Sequence, residues 1–185
     1  MRVIAGRAGG IRLDSPKSGL RPTMDRVKGA IFSSLGEMVI AARVLDLFAG
    51  TGALGIEALS RGAASALFVE EDRQSIGAIE KNLAKTNLSG RVRNADVFRF
   101  LKNAAVSDEK FRIIFADPPY EKMESGERFT DKLLVDEALP KLLEPDGIFV
   151  LEKRPNEKIP ETRIWQVSRR KTYGATEVLF LSATE

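Results

Sequence analysis

From Arg43 onward, short continuous apolar runs alternate with stretches in which apolar residues recur every third or fourth position. The runs Val44–Phe48, Ala66–Glu70, Arg91–Ala95, Ile113–Asp117 and Ile148–Glu152 read as strands. The stretches Leu54–Ser60, Gln74–Thr86, Val97–Ala104 and Asp131–Leu143 read as helices. Strands that are apolar throughout need cover on both faces, so the alternation predicts an α/β fold with a doubly wound, mostly parallel sheet. Past Pro155 and Pro160, the alternating runs Arg163–Arg169 and Glu177–Leu181, joined through Tyr173-Gly174, predict a C-terminal antiparallel strand pair. Ahead of the sheet, Arg2–Ala5 and Gly10–Leu13 flank a glycine turn and predict a small hairpin. Residues 16–22 read as loop, and Thr23 as the N-cap of a helix with the stripe Val27, Ile31 and Leu35. The expected organisation is a basic N-terminal hairpin-helix extension over residues 1–40 and one globular unit over 41–185.

Charge sharpens this division. Residues 1–28 carry seven basic groups against Asp14 and Asp25, a local excess of +5 in a chain whose net charge is +3. A basic arm on a near-neutral body suits a polyanionic partner. The 185 residues include neither Cys nor His, which excludes disulfides, thiolate nucleophiles and Ser-His-Asp chemistry, and leaves no expectation of a metal. No apolar stretch approaches the ~20 residues of a membrane span. The N-terminus shows no secretion signal, so the expected location is cytoplasmic, with no membrane partner.

Two segments carry chemistry. Asp117-Pro118-Pro119-Tyr120 follows the fourth predicted strand. Two prolines cannot extend the sheet, so the chain must leave it as a stiff loop. That loop holds a carboxylate, the Pro118 carbonyl and the Tyr120 ring in fixed relation, which suits a planar base bearing an exocyclic amine. The second segment runs from Val44 through Asp46, Phe48, Gly50, Gly52 and Gly55 to Glu57, a buried strand entering a helix through a glycine turn. Gly50-x-Gly52-x-x-Gly55 is formally a dinucleotide fingerprint, with Glu70 at the next strand end where a carboxylate grips ribose hydroxyls. A nicotinamide oxidoreductase is therefore a competing reading. Against it, Asp46 stands four residues before Gly50, where an acid can accept from an ammonium group. S-adenosylmethionine has such a group and NAD lacks one. Asp96, after the third strand, is placed either to accept from an adenine amine or to cap the helix that begins at Val97.

Together these motifs resemble the class I S-adenosylmethionine-dependent methyltransferases. The segments Arg21–Val27, Asp46–Gly62 and Lys171–Thr176 tighten the resemblance to the bacterial 16S rRNA guanine-N2 methyltransferases, over nearly the whole chain. One position departs from the pattern: Gly29 stands where a Glu is expected. The resemblance implies a seven-stranded methyltransferase-type sheet, S-adenosylmethionine as cofactor, and 16S rRNA or the small ribosomal subunit as partner of a monomeric enzyme. It implies cofactor contacts from Asp46, Phe48, Gly50, Gly52, Glu70, Asp96 and Val97, and catalytic roles for Asp117, Pro118 and Tyr120. It also implies RNA contacts from Arg7, Arg21, Thr23, Arg26, Lys28 and Tyr173. Asp117 and the Pro118 carbonyl would accept the amine hydrogens and localise the nitrogen lone pair, while Tyr120 stacks on a base turned out of its helix. Two further readings remain: adenine-N6 methylation of DNA or RNA, and a non-catalytic RNA-binding assembly factor.

Overall fold

A computed structural model describes residues 1–15, 22–106, 108–120, 126 and 128–184, without the side chains of 22–24. Seven strands form one sheet: β1 (Arg43–Leu47), β2 (Ser65–Glu70), β3 (Arg91–Asn94), β4 (Phe111–Ala116), β5 (Leu143–Lys153), β6 (Trp165–Tyr173) and β7 (Thr176–Ala183). Their order is β3-β2-β1-β4-β5-β7-β6. β1 to β5 are mutually parallel, whereas β7 runs antiparallel to both β5 and β6. The expected C-terminal pair is present, with β6 as the sheet edge.

The helices are α1 (Pro22–Leu35), α2 (Ala53–Ser60), α3 (Arg73–Thr86), α4 (Val97–Ala104) and α5 (Phe129–Val135). Alternate strand residues separate into two layers, which is why the runs are apolar at every position. Val44, Phe68, Ile113, Phe115 and Val150 pack with Ile31, Phe32, Ile56 and Ile79 of α1, α2 and α3. Leu45, Val69, Ile114 and Leu151 pack with Val97, Leu101, Leu133 and Leu134 of α4 and α5. Among the described residues, no helix is long and apolar enough to cross a membrane.

Two local expectations change. The helix expected over Asp131–Leu143 is two pieces, α5 and a 3-10 turn at Leu139–Leu142. The cause is local: the Asp136 side chain accepts from the backbone N–H groups of Ala138 and Leu139, each at 2.9 Å, and Pro140 follows without a donor. α1 begins at Pro22, so Thr23 lies in its first turn and is not the cap. The expected N-terminal hairpin is present, closed by Val3 N–H to the Ile11 carbonyl (2.9 Å), Gly10 N–H to the Val3 carbonyl (2.8 Å) and Leu13 N–H to the Met1 carbonyl (2.9 Å), and Glu57 fastens it to the body. That carboxylate, fully buried in α2, accepts from the N–H groups of Ile4 (2.7 Å) and Ala5 (3.1 Å). Its oxygens also meet Lys28 Nζ at 3.0 Å and Arg61 Nε at 2.7 Å.

Candidate active site

Strand order reverses between β1 and β4, so their loops part and open a crevice at the carboxyl ends of the strands. The structure has a cleft of about 840 Å³ there, lined by Asp46, Phe48, Gly50, Glu70, Asp96, Val97, Asp117, Pro118, Tyr120 and Glu152 among others. Thus nearly all the cofactor and catalytic candidates meet at one site; Gly52 lies just behind the wall.

The glycine turn is built for close approach. Phe48, Gly50 and Gly52 all have positive φ, at 55°, 55° and 75°. A non-glycine residue held there is uncommon and costs about 1 kcal/mol or more. Gly55 is required by packing: an added Cβ would lie 2.3 Å from Phe68 Cε1 and 3.1 Å from Asp46 Oδ2. The Gly55 N–H instead donates to Asp46 Oδ2 at 2.9 Å. Glu70 ties β2 to this turn, since Oε2 accepts from Gly50 N–H at 2.8 Å and Oε1 from the N–H groups of Glu71 and Asp72 at 2.9 Å. Asp96 does cap α4, accepting from Arg99 N–H at 2.8 Å through Oδ1. Its Oδ2 has no partner among the described residues.

Electrostatically the cleft is short of positive charge. Burial pushes the Asp46 carboxyl up to about 8, against the Gly55 hydrogen bond, with smaller contributions from Asp117 and Glu70. The protein wall around Asp117 pushes its carboxyl up to about 6, although the side chain is open to the cleft's solvent. Burial first, then Asp117 and Asp46, raises Glu152 as well. Among the described residues these acids do not converge into a metal-binding cluster. They line a wall suited to a positively charged organic ligand.

A stability prediction follows from Asp46. In the folded chain it holds a proton up to about pH 8, while its ordinary value is 3.8, so the folded state binds more protons between those values. Its stabilising contribution is full below about pH 4 and is lost as pH rises to 8. Asp46→Asn, which can still accept from Gly55, is expected to raise Tm by several degrees at pH 8 and to leave it unchanged near pH 4. Calorimetric melts at both pH values check this.

The Tyr120 ring is half-buried, with its hydroxyl 3.4 Å from Thr176 Oγ1 and the Arg154 guanidinium carbon 5.1 Å from its centroid. The ring expected to be a bare stacking face therefore has a cation on one side. Phe48, Phe98 and Phe129 form a second aromatic group, with centroids 5.6–6.3 Å apart.

The basic-arm candidates divide. Arg7 and Arg26 are exposed, while Arg21 and the Thr23 side chain lie outside the described residues. Lys28 is a correction: it is 3% exposed and bound to Glu57 and to the Arg2 carbonyl (2.6 Å), so its ammonium cannot meet a phosphate. Tyr173 packs partly against the core, and its neighbours Gly174 and Thr176 reach the cleft instead. Arg169 and Lys171 of β6, which sequence reasoning passed over, bond to the Ser34 carbonyl and hydroxyl at 3.2 and 2.9 Å. They bring basic groups beside α1; the signal available was the run Arg169-Arg170-Lys171 on an alternating strand.

Residues 1–182 match the family described as conserved hypothetical protein 95. The chain belongs to that family. It is 40% identical over 182 residues to YlbH of Bacillus subtilis strain 168, covering 96% of each chain. It is 37% identical over 177 residues to the ribosomal RNA small subunit methyltransferase D of Escherichia coli K12, covering 94% of this chain and 85% of that one. A solved hypothetical protein from Thermus thermophilus superposes on it with a TM-score of 0.82, at 31% identity over 99% of both chains. Family membership thus covers both the basic hairpin and the sheet. Within this family member, Glu152, Arg154, Phe129 and Thr176 are the site residues that sequence reasoning missed. All four sit where separate segments converge.

Proposed function

We propose that this chain is an S-adenosylmethionine-dependent methyltransferase that modifies the exocyclic N2 amine of a guanine in 16S rRNA of the small ribosomal subunit, in the cytoplasm. The observation that carries this reading is the meeting of the Asp117–Tyr120 loop and the β1 glycine turn in one cleft. The name of the Escherichia coli relative supports the substrate.

The residues present fit the cofactor. Asp46, Asp117 and Glu152 supply carboxylates that a bound sulfonium or ammonium would hold ionised, while Lys28, the lysine of the cleft wall, is committed to Glu57. Asp46 and Gly50 would hold the amino-acid end, Glu70 the ribose, and Asp96 the adenine amine. Phe48 and Val97, with Phe129, would give the adenine an apolar wall. When bound, the cofactor supplies an electrophilic methyl group. The chain's own contribution is to present the amine. Asp117 and the Pro118 carbonyl accept the two N2 hydrogens, which returns the lone pair from the ring to nitrogen. Tyr120 stacks on the base through the face that Arg154 leaves open. The proton released from nitrogen passes to Asp117 or to water.

Arg7 and Arg26, together with Arg169 and Lys171 of β6, which bond to Ser34 of α1, position the RNA by phosphate contact. Arg26→Ala is expected to weaken RNA binding several-fold and to reduce the salt slope of log Kd by about one, with cofactor affinity unchanged. Binding titrations at two salt concentrations check it; an unchanged slope contradicts the assignment. The function itself is tested by transfer of labelled methyl from S-adenosylmethionine to unmethylated 16S rRNA, small subunits, tRNA and DNA. Label confined to rRNA or subunits is expected. Label on DNA alone overturns the substrate, and binding of RNA without any transfer overturns the enzyme reading.

A further inference from the structure

One carboxylate of the cleft contributes charge to that reading but is given no hydrogen-bond partner by it. Glu152, half-buried near the end of β5, lines the cleft, and among the described residues its carboxylate makes no hydrogen bond or ion pair. Strand geometry fixes its direction. Ala116 of β4 is in register with Leu151 of β5, and both belong to the layer beneath α4 and α5. The residues that follow them, Asp117 and Glu152, therefore project to the other side of the sheet, into the cleft that both line. Lys153 turns away again and is fully buried, with Nζ 2.7 Å from Glu177. Arg154 returns to the cleft side, over the Tyr120 ring. Glu152 thus shares one wall with the proposed amine acceptor and with the proposed stacking residue.

A carboxylate crowded against another carboxylate is unfavourably placed until a donor reaches it. Guanine presents three hydrogens side by side: two on the exocyclic N2 and one on the adjacent ring N1. If Asp117 and Pro118 engage N2, the N1 hydrogen is the next donor beside it. We infer that Glu152 accepts the N1–H of the target guanine and is the residue by which the site distinguishes guanine from adenine. Adenine presents a bare lone pair at N1, which a carboxylate repels. The contact is non-covalent, and the proton stays on N1. This inference rests on the guanine-N2 reading.

The test uses small subunits reconstituted with 16S rRNA carrying either guanine or 2-aminopurine at the methylated position. 2-Aminopurine keeps the 2-amine but has a bare N1. Wild-type enzyme and Glu152→Gln are compared for Kd without turnover and for kcat/KM. Wild type is expected to favour guanine on the order of 100-fold, because a site built for a charged hydrogen bond rejects the analogue lacking the donor. The glutamine amide donates to a bare N1, so Glu152→Gln should lose on guanine, gain on 2-aminopurine, and invert the ratio in both readouts. A loss of fold or of cofactor affinity affects both RNAs equally and cancels in that ratio. An unchanged ratio in Glu152→Gln overturns the inference while leaving the guanine-N2 reading standing. Absence of methylation of the guanine subunits by wild type overturns that reading and the inference with it.

Discussion

Asp117→Ala is expected to lower kcat by on the order of 10³-fold, with cofactor affinity close to that of wild type. Alanine removes the acceptor that would draw the lone pair back to the N2 nitrogen, whereas the stiff loop and the Tyr120 ring remain. Asp117→Asn is the sharper variant, because its amide oxygen still accepts one hydrogen bond; a loss of roughly tenfold is expected. The two also differ in pH dependence. Asp117 titrates near 6 because the surrounding wall disfavours its charged form, and only the ionised form draws the lone pair back with a full charge and can take the released proton. In wild type, kcat/KM should therefore fall as pH drops below about 6, and in Asp117→Asn this acid limb should weaken. Near-normal turnover by a folded, cofactor-binding Asp117→Ala would remove the residue from the chemistry.

The largest stability effect is expected at Glu57. Its two oxygens serve the Ile4 and Ala5 N–H groups, the Lys28 ammonium and the Arg61 guanidinium, and its side chain is fully buried. Burial already lowers the pKa of Lys28, against the attraction of Glu57. Glu57→Ala strands that cation and unfastens the hairpin, and breaking a buried pair from one side costs about 3–5 kcal/mol. In a chain of this size the loss amounts to roughly 10 °C in Tm. The double variant Glu57→Leu, Lys28→Met should lose less than Glu57→Ala, since the buried ammonium goes with its partner and only the part-exposed Arg61 guanidinium is left unpaired. Thermal melts of the three proteins decide it; a Tm shift below about 2 °C in Glu57→Ala would mean the network carries little.

Much of this was legible in the chain because it is written locally. A strand that is apolar at every position, as Ile113 to Ala116, can lie only between two covering layers, and both layers are present. Asp117-Pro118 cannot continue a strand, and β4 ends at Ala116. Asp46, Gly50 and Glu70 meet because β1 and β2 are neighbours in parallel register. The rest depends on contacts between distant segments. Nothing near Lys28 in sequence announces Glu57, 29 positions away, so the lysine read as one more exposed cation of the arm. Arg154 over Tyr120 and Thr176 beside its hydroxyl arise only when β5 and β7 pair beyond β4. Glu152 looked like an ordinary strand-end residue until its register with the loop after β4 was known. The break at Asp136 was readable in principle, from an Asp four residues before Pro140.

On the proposed reading, this cleft presents the N2 amine of guanine for methylation. The most direct test of that reading is the identity of the modified nucleoside. Small subunits lacking the modification would be incubated with enzyme and labelled S-adenosylmethionine, and the rRNA digested and resolved by mass. The expected product is N2-methylguanosine, formed by wild type and lost in Asp117→Ala. N6-Methyladenosine in its place would contradict the account.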